Sequence, residues 1–377
     1  MKQIYLDWAA HTPADPRVLQ ALADAELPGN PSARHGAGRQ AAALLERAYD
    51  ELAGLLGVSP DELIHTSGAS EANNLALKGF ARAGRHVGRH IITTPLEHPS
   101  VSAPLTFLQE QGYEIDLLPV GRDGRVEVDE LEALMRADTV LVSVCAVDSE
   151  LGALQPIGDI RRILSRFPNC LLHVDATQAI GKIPFDLALA DSASLSAHKF
   201  FGVCGSGLLY KRRGLAPEPL IHGGEGAGLY RSGTPMVSLL ASTAAALRLS
   251  AQGLEEGYAH ITALNRRLRS ALADYPLVRV NSPEDAVPHI LNLSVPGAKG
   301  EDIQRALDAR GVCVSVKSAC SVPGTPSRAV FAVSRDRKRA LSSFRVSMSV
   351  KTTAEDLEGF LTAFQSVYEE LTHGQRA

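Results

Sequence analysis

The sequence predicts an α/β protein with a seven-strand, mostly parallel sheet in a large domain and a smaller α+β domain after it. Three observations lead there. Short apolar runs alternate with helical patterns over residues 63–210, as in βαβ units whose central strands are buried on both faces. Beyond residue 272 the pattern changes to a second set of strands and helices spanning about a hundred residues. A chain of 377 residues also exceeds what one hydrophobic core usually supports. The large domain is drawn at residues 15–250, and the small one at 1–14 plus 251–377.

The first thirty residues read as loop, ending in Pro28-Gly29-Asn30-Pro31-Ser32, where a glycine and two prolines oppose regular structure. A helix is predicted over 38–56, with Leu44, Leu45, Leu52, Leu55 and Leu56 on its apolar face. Strands follow at 63–66, 90–94, 114–119, 140–144, 170–175, 192–196 and 207–210. The last of these lie too close together for a helical crossover, so one runs antiparallel. A long helix starts beyond Pro235, with Leu239, Leu240, Ala244, Leu247 and Leu249 apolar, and extends to Leu272. The second unit has strands at 278–281, 290–295, 312–316 and 343–347, and helices at 300–310 and 353–371. Residues 373–377 read as a frayed tail.

Composition excludes several classes. Hydrophobic residues at 45% and charged residues at 21% fit an ordinary globular protein. A net charge of −4 gives no nucleic-acid signal. No apolar run approaches a membrane span, and the polar, strand-like start is no signal peptide. Cys145, Cys170, Cys204, Cys313 and Cys320 form no CxxC pair and are odd in number. That opposes a disulfide framework or zinc site, predicts no metal, and favours a reducing cytoplasm with one reactive thiol.

Three polar clusters sit at predicted strand ends, where ligands collect in open α/β sheets. Thr66-Ser67-Gly68-Ala69-Ser70-Glu71-Ala72-Asn73 opens a helix, and its hydroxyls and free N–H groups suit a phosphate or a plain helix cap. His173-Val174-Asp175-Ala176-Thr177-Gln178 ends a buried strand in a carboxylate, which needs a partner such as a protonated ring nitrogen or a salt bridge. Ser196-Ala197-His198-Lys199-Phe200-Phe201 places a lysine directly after a strand, either desolvated as a Schiff-base nucleophile or solvated at the surface. Phosphate turn, strand-end aspartate and then lysine is the order expected of one pyridoxal-phosphate (PLP) pocket.

With Ile4-Tyr5-Leu6-Asp7, Gly29-Asn30-Pro31-Ser32, Glu97-His98, Arg231-Ser232-Gly233-Thr234, Ser318-Ala319-Cys320 and Arg345 added, the chain resembles the NifS/IscS-type cysteine desulfurases, class V aminotransferases, over nearly its whole length. The resemblance implies the PLP-dependent transferase type I fold and a desulfurase converting L-cysteine to L-alanine. Lys199 would carry the cofactor as a Schiff base and move protons at the substrate carbon. Asp175 would pair with the pyridine nitrogen, Gln178 would reach the ring hydroxyl, and His98 would stack on the ring. Ala69 N–H, Ser70, Ser196 and His198 would hold the phosphate, with Thr234 supplied across a homodimer interface. Arg345 would clamp the substrate carboxylate, assisted by Asn30, and its planar fork suits that task. Cys320 would take the sulfur as a persulfide and pass it to an acceptor protein. Its loop, Val322-Pro323-Gly324-Thr325-Pro326, reads as exposed, and Lys317 nearby would favour the thiolate.

Four departures from the family pattern bear on substrate and acceptor. Asp148-Ser149-Glu150 replaces Asn-Asn-Glu, so the Ser149 hydroxyl stands where an amide touches the ring hydroxyl. Gly223 to Tyr230 lacks the usual His or Gln followed by Glu, Lys317 replaces a glycine, and Cys204 stands where lysine is common. These favour a specialised desulfurase over a general iron–sulfur assembly enzyme. The alternative is another PLP reaction on the same scaffold: selenocysteine lyase, C–S lyase, epimerase or transaminase. A weakly catalytic binding subunit is opposed by the retained Lys199 and Asp175.

Overall fold

The computed structural model describes residues 3–224, 228–317 and 324–372. The chain opens with β1 (Ile4–Tyr5), α1 (Pro16–Asp24) and the long α2 (Gly36–Leu56). Then come β2 (Leu63–Thr66), α3 (Ala69–Ala83), β3 (His90–Thr93), α4 (Pro99–Glu110), β4 (Glu114–Leu117), α5 (Val128–Leu134) and β5 (Thr139–Cys145). The sheet is completed by α6 (Ile157–Leu164), β6 (Leu171–Asp175), β7 (Ser192–Ser196) and β8 (Gly207–Lys211). Helices α7 (Val237–Gln252) and α8 (Leu254–Leu272) lead to β9 (Arg279–Val280), β10 (Ile290–Ser294), α9 (Gly300–Asp308) and β11 (Val312–Cys313). Helices α10 (Arg328–Ser334) and α11 (Arg337–Leu341), strand β12 (Ser343–Ser347) and helix α12 (Ala354–Thr372) finish it.

The seven strands run in the order β2-β8-β7-β6-β5-β3-β4. β8 pairs antiparallel with both β7 and β2, and the other pairings are parallel, so β8 alone opposes the rest. This is the antiparallel member expected from the short spacing after β7. β5, β7 and β8 are buried along their whole length, which fits strands covered by helices on both faces.

A second core gathers Leu6, Leu291, Phe344, Phe360 and Phe364 around the antiparallel sheet β12-β10-β9. β1 joins it by pairing parallel with β11, and Asp7 bridges to Ser347, so the N-terminal residues lie against β12. That contact brings the start of the chain to the site.

The structure corrects three expectations. The first thirty residues are not all loop: Asp15 caps α1 by accepting from Arg17 N, with proline in the first turn, a start signal that was present in Asp15-Pro16. The long helix after Pro235 is two helices divided at Gly253. On α2 the buried stripe is Ala41, Ala48, Leu52 and Ala53, while Leu55 is exposed. Small side chains there let α2 pack closely on α7, and the alanines share the inward face with Leu45, Leu52 and Leu56, three of the five leucines expected there.

Candidate functional site

The carboxyl ends of β2, β5, β6 and β7 open on one edge of the sheet, and the site is built there. After β2 the chain turns at Gly68, whose φ of +147° is a backbone conformation that side chains rarely adopt. Gly207, at the start of β8, sits so close that an added Cβ would lie 2.6 Å from Gly68 Cα. These two glycines allow the turn to lie flat on β8 and present the N-terminus of α3, an anion-attracting end, to the cleft. Glu71 fastens the turn by accepting from Ser67 N at 2.7 Å and pairing with Arg231 Nε at 3.0 Å.

Asp175 closes β6 and is buried. Its Oδ1 accepts from Thr177 N at 3.0 Å, and its Oδ2 accepts from Asn73 Nδ2 at 3.0 Å. Asn73, fully buried on α3, is a hub. Its Oδ1 accepts from Ser194 Oγ at 2.5 Å and from His173 Nε2 at 2.9 Å, and its Nδ2 also donates to Ser100 Oγ at 2.9 Å. Burial pushes His173 down to about 4, so its ring is neutral. Ser100 Oγ in turn lies 2.8 Å from His98 Nδ1, which also accepts from Ser100 N as the cap of α4. Burial pushes His98 below its ordinary value against the pull of Asp175. With Nδ1 accepting, the neutral ring carries its hydrogen on Nε2. A continuous chain therefore joins Asp175, Asn73, Ser100 and His98.

Lys199 follows β7 in a single tight turn, and its Nζ donates to Ala9 O at 2.9 Å and Ala10 O at 2.7 Å. The N-terminal segment thus forms a floor for the lysine. Gln178 Nε2 also donates to Ala9 O, and Gln178 Oε1 accepts from Lys182 Nζ at 2.5 Å. Lys182 is half-buried, and its desolvation, with Lys199 and Arg345 adding to it, pushes its ammonium well below the ordinary value.

Arg345 enters from β12 with its side chain only 2% exposed. Nη2 donates to Asp7 Oδ1 at 2.9 Å and Nη1 to Ser149 O at 2.6 Å, while the buried Nε has no hydrogen-bond partner among the described residues. Asp148 shapes the turn that offers Ser149 O, because its Oδ1 accepts from Glu150 N and Leu151 N. Burial, with Glu150 adding to it, pushes Asp148 up to about 7.

These groups share one cleft of about 360 Å³, with Lys199, Asp175 and the Gly68 turn on its walls and Arg345 opening into it. Residues 4–360 match the model of the aminotransferase class-V family. The chain belongs to that family. A "NifS/IcsS protein homolog" from Lactobacillus delbrueckii subsp. bulgaricus is 37% identical over 98% of each chain. A "Cysteine desulfurase IscS" from Proteus mirabilis is 39% identical over 94% of this chain and 90% of its own length. A solved "NifS-like protein" superposes with a TM-score of 0.91 at 36% identity, covering 98% of this chain and all of its own. The resemblance drawn from the motifs and the seven-strand α/β fold both stand.

Of the class-V residues expected at the site, Ala69, Ser70, His98, Ser149, Asp175, Gln178, Ser196, His198, Lys199 and Arg345 line this cleft. Asn30 and Thr234 are exposed and lie off its lining, and Asn30 Oδ1 accepts from Ser32 N at 2.9 Å. Cys320, with Ser318 and Ala319, lies outside the described residues, as do residues 225–227. Lys317 is buried and its Nζ donates to Thr325 O at 2.8 Å and Thr325 Oγ1 at 2.9 Å. Cys145 and Cys170 are buried, Cys313 is half-buried, and Cys204 is exposed.

Asn73 was legible only as a helix cap, because its partners come from β6, β7 and α4. Lys182 carried no signal beyond a lysine in a turn. Cysteine spacing alone carried no signal of a second feature: His11 meets His198 and Cys204, which share the turn after β7, with three possible ligand atoms within 4.8 Å of one another.

Proposed function

We propose that this protein is a PLP-dependent cysteine desulfurase, which converts L-cysteine to L-alanine and hands the sulfur to an acceptor protein through a cysteine of its own. The single observation that carries this is the convergence of the Gly68 turn, Asp175 and Lys199 on one cleft, with the buried fork of Arg345 opening into it.

The residues fit the cofactor. The α3 N-terminus with Ser70, Ser196 and His198 offers donors to a phosphate, and no side chain at Gly68 or Gly207 obstructs its approach. Asp175, oriented by Thr177 N and Asn73, suits a protonated pyridine nitrogen, and Lys199 would hold the cofactor covalently. The bound ring supplies an electron sink for the substrate carbon. His98 lines the cleft and would stack on the ring, Gln178 and Ser149 would reach the ring hydroxyl, and Lys199 Nζ would move the proton at the substrate carbon. Arg345, whose side chain opens into the cleft, binds the substrate carboxylate, with Asn30 assisting.

The sulfur step is redox-neutral. The thiolate of Cys320 bonds to the substrate sulfur, the carbon–sulfur bond breaks, and a proton completes alanine's methyl group. The enzyme thiol becomes a persulfide. We assign Thr234 to the neighbouring subunit's phosphate, so the active unit is a homodimer in the cytoplasm. The Asp148-Ser149 and Cys204 departures favour service to one dedicated acceptor.

The test is product analysis of the PLP-loaded protein with L-cysteine and a thiol reductant. Alanine and sulfide in equal amounts support the reading. Pyruvate and ammonia would indicate a C–S lyase, D-cysteine an epimerase and a keto acid a transaminase, and any of these as the main product overturns it. Turnover of selenocysteine alone would do so as well.

A further inference from the structure

At the outer rim of the cleft, His11 Nδ1 lies 3.3 Å from His198 Nδ1, and Cys204 Sγ lies 3.6 Å from His11 Nδ1. The two rings stack with centroids 5.5 Å apart and an interplanar angle of 28°. Three ligand atoms, one from the N-terminal segment and two from the turn after β7, thus lie close together. A tetrahedral zinc ion with bonds of about 2.0–2.1 Å to nitrogen and about 2.3 Å to sulfur separates two nitrogens by about 3.3 Å and nitrogen from sulfur by about 3.5 Å. Two of the three edges therefore already have the length that such an ion imposes.

We propose that His11, His198 and Cys204 form a three-ligand site for a thiophilic divalent cation of the zinc class, with the fourth position open to solvent or a small ligand. The donor set selects the metal: two imidazoles and a thiolate suit zinc or cobalt(II), whereas magnesium and calcium require oxygen ligands. The third edge, from Cys204 Sγ to the His198 ring, is at most 4.8 Å and closes by up to about 1.3 Å on binding. Cys204 can supply that movement, since it is exposed and followed by Gly205 with φ +87°. His198 is the fixed ligand, anchored through its carbonyl, which accepts from Thr12 N at 3.0 Å and Thr12 Oγ1 at 2.9 Å. The Nδ1–Nδ1 contact requires one ring to donate to the other, so a cation replaces a single shared proton and creates no new cavity.

The site shares His198 with the phosphate cradle proposed above, and its test therefore reads metal binding rather than turnover. Cobalt(II) serves as the probe, titrated into the PLP-loaded protein and read in the visible d–d region, with near-ultraviolet difference spectra against the cofactor-only baseline. The expected result is one tetrahedral cobalt per chain, with a thiolate charge-transfer band that zinc abolishes by competition. Cys204→Ala should remove the charge-transfer band, and His11→Ala should weaken binding at least tenfold. Zinc should also slow alkylation of Cys204 in the wild type and leave it unchanged in His11→Ala. Binding that is absent in the wild type, unaltered in both variants, or lost only in Cys320→Ser would overturn the site. None of these outcomes depends on whether alanine and sulfide are made, so failure of the metal site and failure of the reaction are separable.

Discussion

Replacing Glu97 with glutamine should reverse its effect on stability between about pH 5 and about pH 9. Glu97 precedes His98 and is 3% exposed. Its Oε1 accepts from Thr94 Oγ1 at 2.8 Å and Cys145 N at 2.9 Å, while Oε2 has no hydrogen-bond partner among the described residues. Burial, only partly offset by the two hydrogen bonds, pushes the carboxyl from an ordinary 4.5 up to about 8. The folded state therefore holds the proton more tightly than the unfolded chain. Wild-type stability from this group is full below about pH 4.5, falls as pH rises, and levels off above about pH 8. The gap corresponds to at most about 5 kcal/mol. Glutamine keeps both accepting contacts and cannot ionise, but it leaves buried N–H groups unmatched at a cost of about 1–3 kcal/mol. The variant should be the weaker protein at pH 5 and the stronger at pH 9. Paired urea midpoints across that range test it, and taking variant minus wild type cancels distant titrating groups. A difference that stays constant with pH would refute the protonated carboxyl, as would a wild type lacking a protonated-carboxyl infrared band that glutamine removes.

Three further outcomes follow from the site. Asn73→Leu strips buried partners from Asp175, His173, Ser194 and Ser100, so stability should fall by roughly 3 kcal/mol or more, with kcat dropping far more than KM rises, and normal kinetics would remove Asn73 as a positioning residue. Arg345→Lys should raise KM for cysteine about ten- to a hundredfold, because a point charge replaces a fork held by Asp7 and Ser149, and unchanged KM would place the carboxylate elsewhere. Cys320→Ser should still bind cysteine, seen as a spectral change of the bound cofactor, while releasing no sulfide. Sustained sulfide release from that variant would transfer the persulfide role to another thiol.

Much of the sheet was legible because its signals are local. Leu63–Thr66, Ser192–Ser196 and Ser343–Ser347 are short apolar or alternating runs bounded by turn residues, and each forms a strand over those residues. The antiparallel β8 followed from a connection too short to hold a crossover helix. Helix α1 was hidden by the loop character of the prolines around it, although Asp15-Pro16 is a start signal. The break at Gly253 was masked by apolar residues that continue on both sides of it. Site legibility divided the same way. Strand-end groups such as Asp175 and Lys199 could be read from order along the chain. Asn73, Lys182 and the His11–His198–Cys204 group could not, because their chemistry exists only once residues up to 193 positions apart meet.

The measurement closest to the central claim is borohydride reduction of the PLP-loaded protein followed by peptide mapping. Lys199 Nζ sits on the carbonyls of Ala9 and Ala10, on the same cleft as Asp175 and the Gly68 turn. The account predicts one pyridoxyl adduct per chain, on the peptide carrying Lys199, and none in Lys199→Ala. An adduct on Lys182 or any other lysine, or an undiminished adduct in Lys199→Ala, would contradict it.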